Sequence, residues 1–198
     1  MNIVLASNSP RRQSLLKLIY PDFTVVDSGV KERIDRSLPP WKLCVSLAEQ
    51  KSRAVVLQHP DSIIIGADTV VSSHDKILGK PSNEKEAFEM LKFLSNDTHS
   101  VYTGVSIIYG NYDEQFHVET KVWFGDLSEK EIKEYIATGE PMDKAGAYAI
   151  QGLGAKFVKK IEGDFFNVVG LPVYTLYNKI VELEQRKYLQ NNMRGFRK

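Results

Sequence analysis

The sequence predicts an α/β domain built on a mixed β-sheet flanked by helices, and three observations carry that expectation. Short apolar runs alternate with amphipathic segments at the front of the chain, the order expected of strands with helices packed on them. Two long stretches rich in β-branched and aromatic residues, Val101–Tyr109 and Glu114–Phe124, follow one another with only a short turn between. The 198 residues are 42% hydrophobic and 26% charged, which suits one soluble globular domain and excludes disordered, collagen-like and low-complexity classes.

Taken in order, Ile3 to Ala6 is a short buried strand, and Ser9 with Pro10 marks the start of a helix whose apolar face is Leu15, Leu16 and Ile19. A second strand is expected at Phe23 to Val26. After Pro39 and Pro40, the spacing of Leu43, Leu47, Ala48, Ala54 and Val55 gives an amphipathic helix with Lys51 near its middle. Ile63 to Val71 reads as a buried strand. Asn83 with Glu86, and Ser128 with Glu131, are N-terminal capping signatures for helices over 84–94 and 129–138, the latter stopped by Gly139. Between them the two β-rich stretches form a hairpin turning at Gly110 and Asn111. Ala155 to Ile161 is expected to be one more strand. Pro172 opens a closing helix with Val173, Leu176, Tyr177, Ile180 and Val181 on one side, and the final basic stretch is expected to fray. Residues 1–185 make a single domain and 186–198 a basic tail.

The net charge of +1 gives no whole-molecule field for nucleic acid. Arg186, Lys187, Arg194, Arg197 and Lys198, with no acid among them, leave the rest of the chain mildly acidic; without a recognition motif, no nucleic-acid partner is expected. The lone Cys44 makes no intrachain disulfide and no CxxC is present, so a reducing, cytoplasmic location is expected. The N-terminal apolar run is too short for a signal peptide and no stretch of eighteen apolar residues occurs, so neither export nor a membrane partner is expected.

The candidate chemistry begins in Ser7-Asn8-Ser9-Pro10-Arg11-Arg12, a polar loop between strand and helix with two arginines in the first helical turn. Cations there oppose the helix dipole unless an anion lies between them, and arginine suits phosphate oxygens; the alternative is pairing with Asp22 or Glu49. Gly79-Lys80 and Gly152-x-Gly154 lack the remaining residues of a Walker or dinucleotide fingerprint. His59, His74, His99 and His117 have no ligand spacing and read as surface histidines. Asp68 stands out, because Asp68-Thr69 interrupts an otherwise apolar strand. A carboxylate so placed needs a partner or a role: a metal ligand, a general base for water, or a cap on a turn at a strand end. Glu32, Lys51 and Lys80 taken alone are ordinary solvated charges. Asp143 to Gly152 is a small-residue stretch that allows close backbone approach to a ligand, and Gln151 within it could read a base edge or be a plain turn residue.

Together these segments resemble the Maf family of nucleoside triphosphate pyrophosphatases from Leu5 to about Tyr177. The resemblance rests on LASNSPRR at 5–12, Glu32, Lys51, GADTVV at 66–71, LGKP at 78–81, YTGV at 102–105, TGEPMDKAGAYAIQG at 138–152 and NVVGLP at 167–172. Ser52 after Lys51, where small alanine is common, and the basic tail depart from the pattern without touching a catalytic position.

The resemblance implies an α/β fold with a mixed central sheet and a cleft, similar to the inosine triphosphate pyrophosphatases. It implies hydrolysis of a nucleoside triphosphate to the monophosphate and pyrophosphate, a nucleotide-pool cleansing role, with a divalent cation, Mg²⁺ or Mn²⁺, held by Glu32 and Asp68. Asp68 corresponds to the catalytic proton acceptor and Arg12, Thr69 and Gln151 to the substrate-selecting positions; Ser7, Ser9, Arg11, Arg12, Lys51 and Lys80 are expected at the phosphates. The DKAGAYAIQG string is similar to the branch that acts on dTTP and UTP, not the branch that acts on 7-methyl-GTP. With a carboxylate as base and metal-acidified water, an alkaline optimum is expected. A homodimer is an assembly the resemblance allows. The alternative reading is a regulatory binding protein acting on septum formation, to which the family name is tied.

Overall fold

The computed structural model describes the backbone of residues 2–195 and the side chains of residues 2–188. Seven strands form one mixed sheet: β1 (Asn2–Leu5), β2 (Thr24–Val25), β3 (Ser62–Ser73), β4 (Lys76–Leu78), β5 (Thr98–Tyr109), β6 (Tyr112–Phe124) and β7 (Val158–Glu162). The order is β2-β1-β3-β5-β6-β7, with β4 added to β3. β1 runs parallel to β2 and β3, and all later pairings are antiparallel. The helices are α1 (Pro10–Leu16), α2 (Pro40–Val56), α3 (Glu84–Leu94), α4 (Glu129–Ile136), α5 (Phe165–Val169) and α6 (Val173–Gly195).

The capping signatures act as read. Asn83 accepts a hydrogen bond from the Glu86 N–H, and Ser128 with Glu131 makes a complete capping box; such caps stabilise a helix by roughly 1 kcal/mol each. The hairpin pairs Tyr109 with Tyr112 across Gly110 and Asn111. Two apolar clusters lie along the long strands β3 and β5. Leu5, Leu16, Ile65, Ile107, Leu171 and Ile180 fill one, and Leu91, Leu94, Val122, Ile132, Tyr135 and Phe157 the other.

Several expectations are corrected. Residues 155–157 belong to a 3-10 turn (Leu153–Phe157) that tucks Phe157 into the second cluster, so β7 begins only at Val158. β4 and α5 were not expected. His99 is not at the surface: it is 2% exposed, on the inward face of β5 with Val101 and Thr103. The closing helix does not fray at residue 186 but continues to Gly195; Lys187 donates to the Tyr109 hydroxyl and Arg186 lies over the Tyr112 ring, which fastens this basic segment to the hairpin. Arg197 and Lys198 lie outside the described residues. No described helix is long and apolar enough to cross a membrane.

Two features position the site. α2 lies directly on the sheet: a Cβ on Gly66 would stand 2.2 Å from the Ala48 carbonyl oxygen, and one on Gly104 would stand 2.4 Å from the Cys44 carbonyl carbon. Glycine at both points removes the side-chain layer that otherwise separates helix from sheet. The second feature is a break in the sheet. β1 pairs with β3 only as far as Leu5 with Ile65, and β4 joins the same edge only at Val71. Among the described residues no strand covers that edge of β3 over 66–70.

Candidate active site

The break in the sheet is where the cleft enters, and Asp68 and Thr69 stand in it. Asp68 is therefore in the middle of a twelve-residue strand and not at a strand end, so the turn-capping alternative is removed. Alternation along the strand turns Asp68 to the α2 side and Thr69 to the opposite side. Because α2 is pressed onto Gly66 and Gly104, and Gly104 is the cross-strand partner of Asp68, Lys51 on the inward face of α2 reaches the Asp68 carboxylate. Its Nζ also lies 3.1 Å from Glu32, which the loop after β2 delivers. Lys51 is 9% exposed, a charge that this depth allows only with such partners.

Across the strand, Arg12 fans its donors over three acceptors: Nε to the Gly170 carbonyl at 2.9 Å, Nη1 to Ser7 Oγ at 3.4 Å and Nη2 to Thr69 Oγ1 at 3.1 Å. Gly170 follows α5 with φ of 129°, a conformation that suits glycine, and so turns its carbonyl to the guanidinium. Burial lowers the Arg12 pKa from its ordinary value, with Asp68 opposing, but a guanidinium remains charged at any physiological pH. Arg11 donates to Asp143 at 3.2 Å across the cleft. Burial pushes the Asp143 carboxyl up, yet hydrogen bonds from Lys144 and Arg11 leave it below its usual range. Neither arginine meets the two acids weighed from sequence.

The structure brings Ser7, Ser9, Arg11, Arg12, Glu32, Lys51 and Lys80 to one pocket of about 370 Å³. This opens into a cleft of about 1020 Å³ walled also by Asp68, Thr69, Val71, Tyr148 and Gln151. Ser9 stands at the N-cap of α1 but its side chain makes no capping bond; its N–H goes to Ser7 Oγ at 3.3 Å. Lys80 and Gln151 are exposed and face the cleft with no side-chain hydrogen bond among the described residues. The sequence reading missed what holds these groups. Glu140 accepts from the Tyr135 hydroxyl at 2.8 Å and from the Leu153 and Gly154 N–H groups at 3.0 and 3.1 Å, and so fixes the loop that carries Gln151. Thr103 and Asn167, both fully buried, lie behind Thr69. His99 Nε2 meets the hydroxyl of Tyr148, a wall of the cleft, at 2.8 Å.

Among the described residues no group of three or more His, Cys, Asp or Glu converges on a metal position. The two carboxylates gathered on Lys51 fit a hard divalent cation that draws its remaining oxygens from substrate and water, as Mg²⁺ commonly does.

Fold and site together define an α/β protein whose cleft, basic at one end and apolar at the other, is built around a carboxylate–lysine centre. Residues 2–183 match the sequence model of the family described as Maf-like protein, and the chain belongs to that family. It is 51% identical over 181 residues to the dTTP/UTP pyrophosphatase of Geobacillus sp. (strain WCH70), covering 91% of this chain and 97% of that one. It is 52% identical over 184 residues to the dTTP/UTP pyrophosphatase of Carboxydothermus hydrogenoformans, covering 92% and 98%. Among solved structures, the Staphylococcus aureus Ham1 protein aligns with a TM-score of 0.47 at 16% identity over 80% of each chain.

Proposed function

We propose that this chain hydrolyses dTTP and UTP to the nucleoside monophosphate and pyrophosphate, the activity named for the relatives to which it is about half identical. The observation that carries the chemistry is Asp68 on one face of the open strand edge with Lys51 against it, and Arg12 with Thr69 on the other. A triphosphate in the smaller pocket has its charge met by Arg11, Arg12, Lys51 and Lys80; Arg12 also lines the larger cleft, where with Thr69 it reads the base, and the nucleoside lies along Val71 and Tyr148 with Gln151 beyond. Water attacks the α-phosphorus in line, Asp68 takes its proton, and pyrophosphate leaves as negative charge spreads over the phosphoryl oxygens. Lys51 and the two arginines, already fixed by their hydrogen bonds and ion pairs, meet that charge without reorganising. Glu32 and Asp68 would hold Mg²⁺ or Mn²⁺, which when bound supplies charge neutralisation and a more acidic water. A cytoplasmic location is part of this reading, supported by a single cysteine, Cys44, that is free and makes no disulfide.

The test is pyrophosphate release by the purified chain with Mg²⁺ or Mn²⁺ against ordinary and modified nucleoside triphosphates, beside Asp68→Asn. Selective release from dTTP and UTP, reduced roughly 100-fold or more in the variant, is expected. No release from any triphosphate overturns the reading, and full activity in the variant removes Asp68 as the base.

A further inference from the structure

Thr103 is fully buried and is not part of the cleft wall, yet its hydroxyl determines which way the Thr69 proton points. Thr69 and Thr103 are cross-strand partners with their hydroxyl oxygens 2.9 Å apart. Thr103 Oγ1 also lies 2.9 Å from the Asn167 carbonyl oxygen, which can only accept, so the single Thr103 proton is donated there. Turning it toward Thr69 would leave a buried carbonyl without that donor, at a cost of about 1–3 kcal/mol. Asn167 is itself locked: its Oδ1 accepts the Thr103 N–H at 3.1 Å, and its Nδ2 donates to the Val101 carbonyl at 3.0 Å and to Thr120 Oγ1 at 2.9 Å. With Thr103 able only to accept from its neighbour, Thr69 must donate its one proton backward into the sheet. What Thr69 shows the cleft is lone pairs, one of them taken by Arg12 Nη2.

Arg12, beside it, is a donor and nothing else, and three of its five N–H groups are spent on Gly170, Ser7 and Thr69. The cleft therefore presents a fixed donor next to a fixed acceptor. We infer that Thr103 is a positioning residue that holds Thr69 as an acceptor, so that the site selects bases carrying an imide N–H beside a carbonyl. Uracil and thymine carry that pair; cytosine places a lone pair where the N–H would be and faces the Thr69 lone pair with its own. The inference rests on the reading of Thr69 as a base-selecting residue under Proposed function.

The experiment measures kcat/KM for UTP, CTP and N3-methyluridine triphosphate with wild type, Thr69→Val, Thr103→Val and Thr103→Ser. One neutral hydrogen bond corresponds to about 10-fold, so wild type is expected to favour UTP over the N3-methyl analogue by at least that factor. In Thr103→Val the Thr69 proton is free to turn to cytosine, and the UTP/CTP ratio is expected to fall about 10-fold; Thr103→Ser, which keeps the hydroxyl, restores it. An unchanged ratio in folded Thr103→Val, or equal use of UTP and its N3-methyl analogue by wild type, overturns the inference. If Thr103→Val does not fold, the analogue comparison on wild type decides. An unchanged ratio in Thr69→Val shows instead that Thr69 does not read the base, and the parent reading fails with it. A ratio that collapses in Thr69→Val but holds in Thr103→Val sinks only the role of Thr103. Should hydrolysis be absent altogether, UMP, CMP and N3-methyl-UMP are compared on the same four proteins by titration calorimetry, with the same ratios expected.

Discussion

His99 gives a pH dependence of stability whose sign and size follow from its surroundings. It sits edge-on to Phe124 and Tyr148, its Nε2 meets the Tyr148 hydroxyl, and its Nδ1 has no partner among the described residues. Burial lowers its pKa from 6.5 to about 4, with Asp97 opposing weakly. The unfolded chain thus takes up a proton near pH 6.5 that the folded chain refuses until about pH 4. Stability from this residue is complete above pH 6.5 and is lost as the pH falls through that window. At 1.36 kcal/mol per unit, the full loss is about 3 kcal/mol, of which about 2 kcal/mol is gone by pH 5. That is a large part of the 5–15 kcal/mol typical of a whole domain. Urea unfolding of wild type and His99→Gln, followed by tryptophan fluorescence at pH 7.5 and pH 5, measures it. The two proteins share every other titrating group, so the wild type should lose about 2 kcal/mol more than the variant over that interval. Coincident losses, or the His99 imidazole resonance itself titrating near pH 6.5 in the folded protein, would refute the argument.

Gly104→Ala drives a methyl group into the α2 backbone, which should destabilise by about 1–3 kcal/mol and, by lifting Lys51 from Asp68, cut kcat more than it raises KM; wild-type turnover would show that α2 can retreat without moving Lys51. Lys51→Met leaves Glu32 and Asp68 without the cation between them, and initial rates should fall about 100-fold with the loss concentrated in kcat. Glu140→Gln weakens acceptance from Tyr135, Leu153 and Gly154, so the dTTP to GTP ratio should shift in the same direction as in Gln151→Ala; kinetics on the two nucleotides decide it, and an unchanged ratio in both would take the 138–154 loop out of base reading.

Much of this was legible in the residues because local chemistry and tertiary placement agree. The caps at Asn83 and Ser128, and the turn at Gly110-Asn111, depend on neighbours within a few positions. Lys51 taken by itself reads as a solvated charge, yet it falls four residues after Leu47 and four before Val55, on the buried side of α2. His99 was misread although the signal existed: His99, Val101 and Thr103 alternate with Thr98, Ser100 and Tyr102, and period two puts all three inside. The strand expected over Ile63–Val71 does run through Asp68, but the residues alone leave open a turn cap there, because what keeps an Asp-Thr pair in strand geometry is nine consecutive pairings to β5, from Ile64 with Ile108 to Ser72 with Ser100. Nor could the residues alone give the roles of Glu140, whose partners lie up to 14 positions away, or of Thr103 and Asn167, whose partners lie up to 66 positions away.

The uncovered edge of β3 makes strand register a determinant of chemistry. Asp68 and Thr69 are adjacent in the chain, and the pleat alone turns one toward Lys51 and the other toward Arg12. A single residue inserted between Gly66 and Asp68 would set the carboxylate against Arg12, and a single deletion there would set the Thr69 hydroxyl against Lys51. Spacing in this stretch is therefore as binding as residue identity, whereas the turn at residues 110 and 111 does not line the cleft.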